Sequence, residues 1–242
     1  MLHVSEVKPL YVDADAVHDF DHVLRVAKLA DRIGRAEGAD LAVVHAAALL
    51  HDLGRAEAQA IGADHARVAA QRGRAILDGK PQADVEAVVH AIASHRFRTE
   101  PMPTTIEAQV LFDADKLDAI GAIGVARAFA YGGAHGQRLW ASISSVDVDA
   151  WDEHGDEPED HTPLHEFVVK LSRIKDRLYT PTGRQIAVTR HEAMVAFFER
   201  LDQEARVHSP PLPLARPVAL ARHGPAKRPA PWPPAAPQPA TN

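Results

Sequence analysis

The stretch Asp40-Leu41-Ala42-Val43-Val44-His45-Ala46-Ala47-Ala48-Leu49-Leu50-His51-Asp52-Leu53-Gly54 is dense in alanine, leucine and valine and ends on two adjacent polar side chains and a glycine. Its composition predicts a helix over 40–51, with Gly54 suited to the C-terminal stop because glycine adopts the left-handed backbone at no steric cost. The apolar run falls well short of the ~20 residues that cross a bilayer and carries His45, which excludes a membrane span. At its end, His51 and Asp52 offer an imidazole nitrogen and a carboxylate oxygen from one place on the backbone.

On the N-terminal side, residues 14–36 repeat apolar side chains at helical spacing (Val23, Val26, Leu29, Ala30, Ile33) before Gly34 and Gly38 loosen the chain. Further helices are expected over 64–78, 82–95 and 104–132, with breaks at Gly79-Lys80-Pro81 and Pro101-Met102-Pro103. Thr162-Pro163 reads as an N-cap and first-turn proline opening a helix to about Leu178. A last helix over about 184–206 carries Ile186, Met194, Phe197, Phe198 and Leu201. No segment alternates with the period of a strand. The expected fold is all-α, a helical domain over residues 1–207.

From His208 onward lie eleven of the eighteen prolines, four basic residues and no acidic ones. That composition supports neither helix nor sheet, so residues 208–242 read as a disordered Pro-rich tail. Its alternative use is as a PxxP ligand through Pro210-Pro211-Leu212-Pro213. Residues 133–161 form a long connection whose acidic cluster, Asp147 to Asp160, reads as a solvated loop, with a lid or accessory cation site as the sharper option.

The chain has 242 residues and a formal charge of −6, and removing the tail's +4 leaves the body at −10. So acidic a body argues against a nucleic-acid partner. The N-terminus lacks a basic region followed by an apolar stretch, and there are no cysteines, so a cytoplasmic location is expected. Any metal must be held by nitrogen and oxygen, for which fifteen histidines are available.

His22 shares a helical face with Val26, Leu29 and Ile33 and therefore points at the core. Asp115 follows Leu111 by four residues, and Asp118 lies near the same face. A single histidine on an apolar face is more often a hydrogen-bonded core residue than a ligand. Buried imidazoles and carboxylates are costly without partners, however, and convergence on one metal would account for His22, His51, Asp52 and Asp115 together.

The order His22…His51-Asp52…Asp115 resembles the HD superfamily of metal-dependent phosphohydrolases. The flanks His18-Asp19-Phe20-Asp21-His22, Leu49-Leu50-His51-Asp52-Leu53-Gly54 and Asp113-Ala114-Asp115-Lys116-Leu117-Asp118-Ala119-Ile120-Gly121 are similar to the small stand-alone bacterial HD nucleotide hydrolases. The resemblance covers about residues 14–205 and implies an HD-domain helical bundle. It makes His22, His51, Asp52 and Asp115 the ligands of one divalent metal, Mn²⁺ first, with Mg²⁺, Ni²⁺ or Co²⁺ as the other candidates.

On that reading the protein hydrolyses a small nucleotide, a nucleoside triphosphate giving monophosphate and pyrophosphate. Catalytic roles fall to Asp52, Arg55 and Asp118, and His18, Arg25, Lys116 and Arg127 contact substrate. Arg55 stands where relatives carry Glu or Lys, so a water-activating role does not transfer and phosphate binding is expected instead. The plain alternative for Arg25 and Arg55 is surface pairing with Asp21 or Glu57. Binuclear relatives hold a second metal with histidines in the region of His65, His90 and His95; one ion rather than two is expected here, and a homodimer is compatible with the reading. The rivals are a monophosphatase or phosphodiesterase on the same site, a di-iron oxygenase using His65 with His90 or His95, and a non-catalytic nucleotide-binding module.

Overall fold

The computed structural model describes residues 2–11, 19–96, 101–143 and 161–206. Among the described residues, ten α-helices run in the order α1 (Val4–Val7), α2 (Phe20–Glu37), α3 (Leu41–Leu50), α4 (Arg55–Ala60), α5 (His65–Ile76), α6 (Gln82–Ala93), α7 (Ile106–Asp118), α8 (Gly121–Ala134), α9 (Pro163–Val169) and α10 (Pro181–Ala205). The 3₁₀ segments Lys8–Leu10 and Leu171–Arg177 follow α1 and α9. No strand occurs among the described residues, as the absence of alternation implied. No described helix is long and apolar enough to cross a membrane.

Helix α3 is the centre of the bundle. Val43, Val44, Ala46 to Ala48, Leu49 and Leu50 are all buried, because α2, α6, α7 and α5 pack around it. Its small alanines let those neighbours approach closely, and α2 and α7 close one side. Asp40 starts the helix by accepting hydrogen bonds from the backbone N–H groups of Ala42 (2.8 Å) and Val43 (3.4 Å). The stop at Leu50 leaves His51 to Gly54 in a turn of four residues.

Three boundaries differ from the sequence reading. The helix expected over 104–132 is two helices, α7 and α8, meeting at Gly121, whose φ is +81°. The elbow is tight: a β-carbon at Gly124 would lie 2.3 Å from the Ala119 carbonyl oxygen. Gly34 does not loosen α2, which continues to Glu37, because Leu41, Val44 and Val110 pack into the space a side chain would fill. Thr162 and Pro163 do open a helix, but α9 ends at Val169 and the chain goes on as 3₁₀ turns. The Pro-rich tail, the acidic cluster and the first part of the helix expected from residue 14 lie outside the described residues.

Candidate metal centre

Each candidate ligand sits where a helix begins, ends or turns. Asp19 accepts a hydrogen bond from the His22 backbone N–H (2.9 Å), which caps α2 and fixes His22 in its first turn. His51 is the C-cap of α3, and Asp52 follows it into a turn closed by hydrogen bonds from the Leu53 N–H to the Leu50 carbonyl and from the Arg55 N–H to the Asp52 carbonyl. Gly54, at φ +80°, turns the chain into α4; a β-carbon there would meet the Arg72 side chain at 2.9 Å. Asp115 and Asp118 lie in the last turns of α7.

The histidine tautomers follow from their partners. His51 Nδ1 is 2.8 Å from the Ala48 carbonyl, and a carbonyl can only accept, so Nδ1 carries the proton. His22 Nδ1 donates likewise to Asp118 Oδ2 at 2.7 Å. In both rings the proton then sits on Nδ1, and the two Nε2 atoms face each other at 3.3 Å. Two lone pairs held so close, on rings 1% and 0% exposed, call for a cation between them.

Two carboxylates complete the set. Asp52 Oδ2 is 3.7 Å from His22 Nε2 and 3.9 Å from His51 Nε2. Asp115 Oδ1 is 3.5 Å and 3.9 Å from the same two nitrogens. Burial pushes both carboxyls up, but the neighbouring side chains, the His51 ring and the Arg55 guanidinium at Asp52 and the Lys116 ammonium at Asp115, hold each well below its ordinary value. Burial lowers the His51 imidazole, favouring the neutral form that a ligand needs. Two imidazoles and two carboxylates suit a divalent first-row ion or Mg²⁺.

A second convergence shares Asp52. Its Oδ1 lies 3.6 Å from His65 Nε2 and 3.9 Å from His95 Nε2, and those two nitrogens are 3.3 Å apart. His95 Nδ1 donates to the Ile92 carbonyl (2.6 Å), which again turns a bare Nε2 inward. His90, by contrast, faces Thr104, whose N–H donates to its Nε2 (3.3 Å). Of the pair five residues apart, only His95 joins the cluster. Arg55 Nη1 enters this second group, 3.2 Å from both Asp52 Oδ1 and His65 Nε2.

The remaining expected residues land as follows. Asp118 is 1% exposed, and besides His22 it accepts hydrogen bonds from Arg25 Nε (2.8 Å) and Arg127 Nη1 (2.8 Å). Lys116 Nζ is 2.7 Å from Asp115 Oδ2. Arg25 and Arg55 therefore pair with site carboxylates rather than with Asp21 or Glu57, and Glu57 takes Arg72 instead. His18 lies outside the described residues, and Arg96, next to His95, is paired with Asp64.

Two residues beside the site were not singled out from sequence. Tyr11 donates its hydroxyl to the Leu49 carbonyl (2.8 Å), and burial next to the Asp52 carboxylate raises its pKa far above the ordinary phenol value. Asp113 accepts from the N–H groups of Tyr179 (2.9 Å) and Thr180 (2.7 Å) and from the Thr180 hydroxyl (2.7 Å), tying α7 to the start of α10. It lies two residues before Asp115, but its carboxylate is turned to the start of α10.

The HD domain family model matches residues 19–120, which contain all four candidate ligands. The uncharacterized protein YpgQ of Bacillus subtilis is 35% identical over 202 residues, covering 82% of this chain and 89% of that protein. The crystal structure of B. subtilis YpgQ in complex with ADP superposes with a TM-score of 0.63 at 31% identity, covering 84% of this chain and 97% of that one. An HD-superfamily hydrolase from Bacillus thuringiensis gives the same TM-score, 0.63, at 30% identity, covering 84% and 95% of the two chains. With an HD domain across the site and relatives of this kind along most of its length, the chain belongs to the HD superfamily of metal-dependent phosphohydrolases.

Proposed function

We propose that the protein hydrolyses nucleoside triphosphates to monophosphate and pyrophosphate, with one divalent ion, Mn²⁺ first, held by His22, His51, Asp52 and Asp115. The observation that carries this reading is the facing pair of Nε2 atoms of His22 and His51, 3.3 Å apart, flanked by two ionised carboxylates. When bound, the ion supplies a Lewis acid that draws charge from phosphoryl oxygens and acidifies water. The crystal structure of YpgQ with ADP supports a nucleotide as the ligand class.

The chain's own residues prepare the rest. The Ala48 carbonyl and Asp118 lock the two imidazoles in orientation, so that Asp118 acts through His22 and is a positioning residue rather than a base. Arg25, Arg55, Lys116 and Arg127 surround the carboxylates with four cations, which offset the acidity of the body and present donors to phosphate oxygens. Water adds to the α-phosphorus and releases a proton to solvent, the bond from that phosphorus to the oxygen bridging to the β-phosphate breaks, and pyrophosphate leaves.

The test is a panel of metal-stripped protein with Mn²⁺ or Mg²⁺ restored, against nucleoside triphosphates, monophosphates and a phosphodiester, with phosphate and pyrophosphate quantified separately. Metal-dependent pyrophosphate is expected. Phosphate alone would make the enzyme a phosphatase, and diester cleavage a phosphodiesterase.

A further inference from the structure

We infer that Arg55 takes the place of a second cation in this site, so that the centre holds one metal ion where its side chains could hold two. The inference rests on the metal reading above and deepens it. Asp52 faces two groups with its two oxygens: Oδ2 toward His22 and His51, Oδ1 toward His65 and His95. Each group meets the geometric requirement for a cation, with its ligand atoms within 4.8 Å of one another.

The second group differs in one respect. The Arg55 guanidinium lies within it, and its Nη1 carries two hydrogens, one directed at Asp52 Oδ1 and one at His65 Nε2, each at 3.2 Å. A metal ion in this group would need those same lone pairs. The two occupants compete for identical acceptors, and the guanidinium, covalently tethered one residue past Gly54, is always present and always charged. Asp64 reinforces the arrangement by capping α5 at Ala66 and Arg67, which holds His65 at the first position of that helix.

A substrate phosphoryl group therefore meets one ion and one fixed guanidinium. Arg55 is about one-third exposed, so part of its fork remains open toward solvent. Neither the helix N-terminus nor the acidic residues alone would produce this. The defining juxtaposition is a guanidinium seated on the donor set of an ion.

The test is metal stoichiometry on the full chain, by elemental analysis after equilibration with Mn²⁺ and by electron paramagnetic resonance. Wild type is expected to bind one Mn²⁺ per chain with the signal of an isolated ion. Arg55→Ala is expected to bind two and to show the multiline signal of a coupled pair, Arg55→Ala/His65→Ala to return to one, and Arg55→Lys to stay at one. Should Arg55→Ala fail to fold, Arg55→Gln, which keeps most of the length without the charge, is read the same way. Two ions in wild type, or one in both uncharged variants, would overturn the role of Arg55 while leaving the metal reading intact. No ion in wild type would overturn both.

Discussion

His22 presents Nδ1 to Asp118 Oδ2 at 2.7 Å and, from the other side of the same ring, Nε2 to Asp115 Oδ1 at 3.5 Å. One carboxylate of α7 orients the imidazole and another, one helical turn earlier, shares its target. Asp118→Asn should keep the shape but lose the fixed tautomer, and Mn²⁺ affinity should fall by roughly 10–100-fold, the usual cost of losing such a partner. Isothermal titration with Mn²⁺ checks this; an unchanged Kd would remove Asp118 from the metal centre.

Arg25 and Arg127 share Asp118 but differ in access: the Arg25 side chain is 34% exposed and Arg127 16%. Arg25→Ala is expected to raise KM for a nucleotide by about tenfold with metal affinity nearly intact, as loss of one charge-assisted phosphate contact would. Arg127→Ala should act chiefly on metal affinity, by releasing Asp118. Steady-state kinetics and metal titration of the two variants separate the effects.

Below neutral pH the metal-free protein should lose stability. Burial lowers His95 to about 4 and His65 to about 3, whereas both titrate near 6.5 when unfolded. The unfolded chain thus binds more protons over this range, so the stabilisation is complete above about pH 6.5 and declines as pH falls through 4 toward 3. Thermal melts in EDTA should show Tm level above pH 7 and dropping through that window. The slope should flatten in His65→Gln/His95→Gln, and a wild-type Tm independent of pH from 7 to 4 would contradict the protonation scheme.

Asp113→Ala strands two backbone N–H groups and a buried hydroxyl at the start of α10. At 1–3 kcal/mol for each unsatisfied group, partly relieved by relaxation, a loss of about 3 kcal/mol is expected. Urea unfolding measures it directly. Metal content at low temperature should stay near wild type, which would distinguish a structural aspartate from a ligand.

Much of this was readable beforehand, and the exceptions have physical causes. The all-α architecture followed from the spacing of residues such as Val23, Val26 and Ile33, and from the alanine-rich run before His51. His22 was placed in the core by the same periodicity, since its neighbours four and seven residues on are apolar. The break at Gly121 was missed because the apolar residues continue on both sides of it; glycine is a poor helix former, and the elbow uses its left-handed backbone at φ +81° and the close approach of Ala119 to Gly124. The direction of a ring nitrogen depends on tertiary partners, so neither the His22–Asp118 pair nor the inward turn of His95 rather than His90 had a local signal. The seat of Arg55 between Asp52 and His65 needed α4 and α5 to be folded against each other.

The most direct measurement is diffraction from crystals equilibrated with Mn²⁺, collected at the manganese absorption edge. A single anomalous peak is expected, bonded to His22 Nε2, His51 Nε2, Asp52 and Asp115, with Arg55 still seated between Asp52 and His65. A peak on His65 and His95 instead, or none near His51, would contradict it.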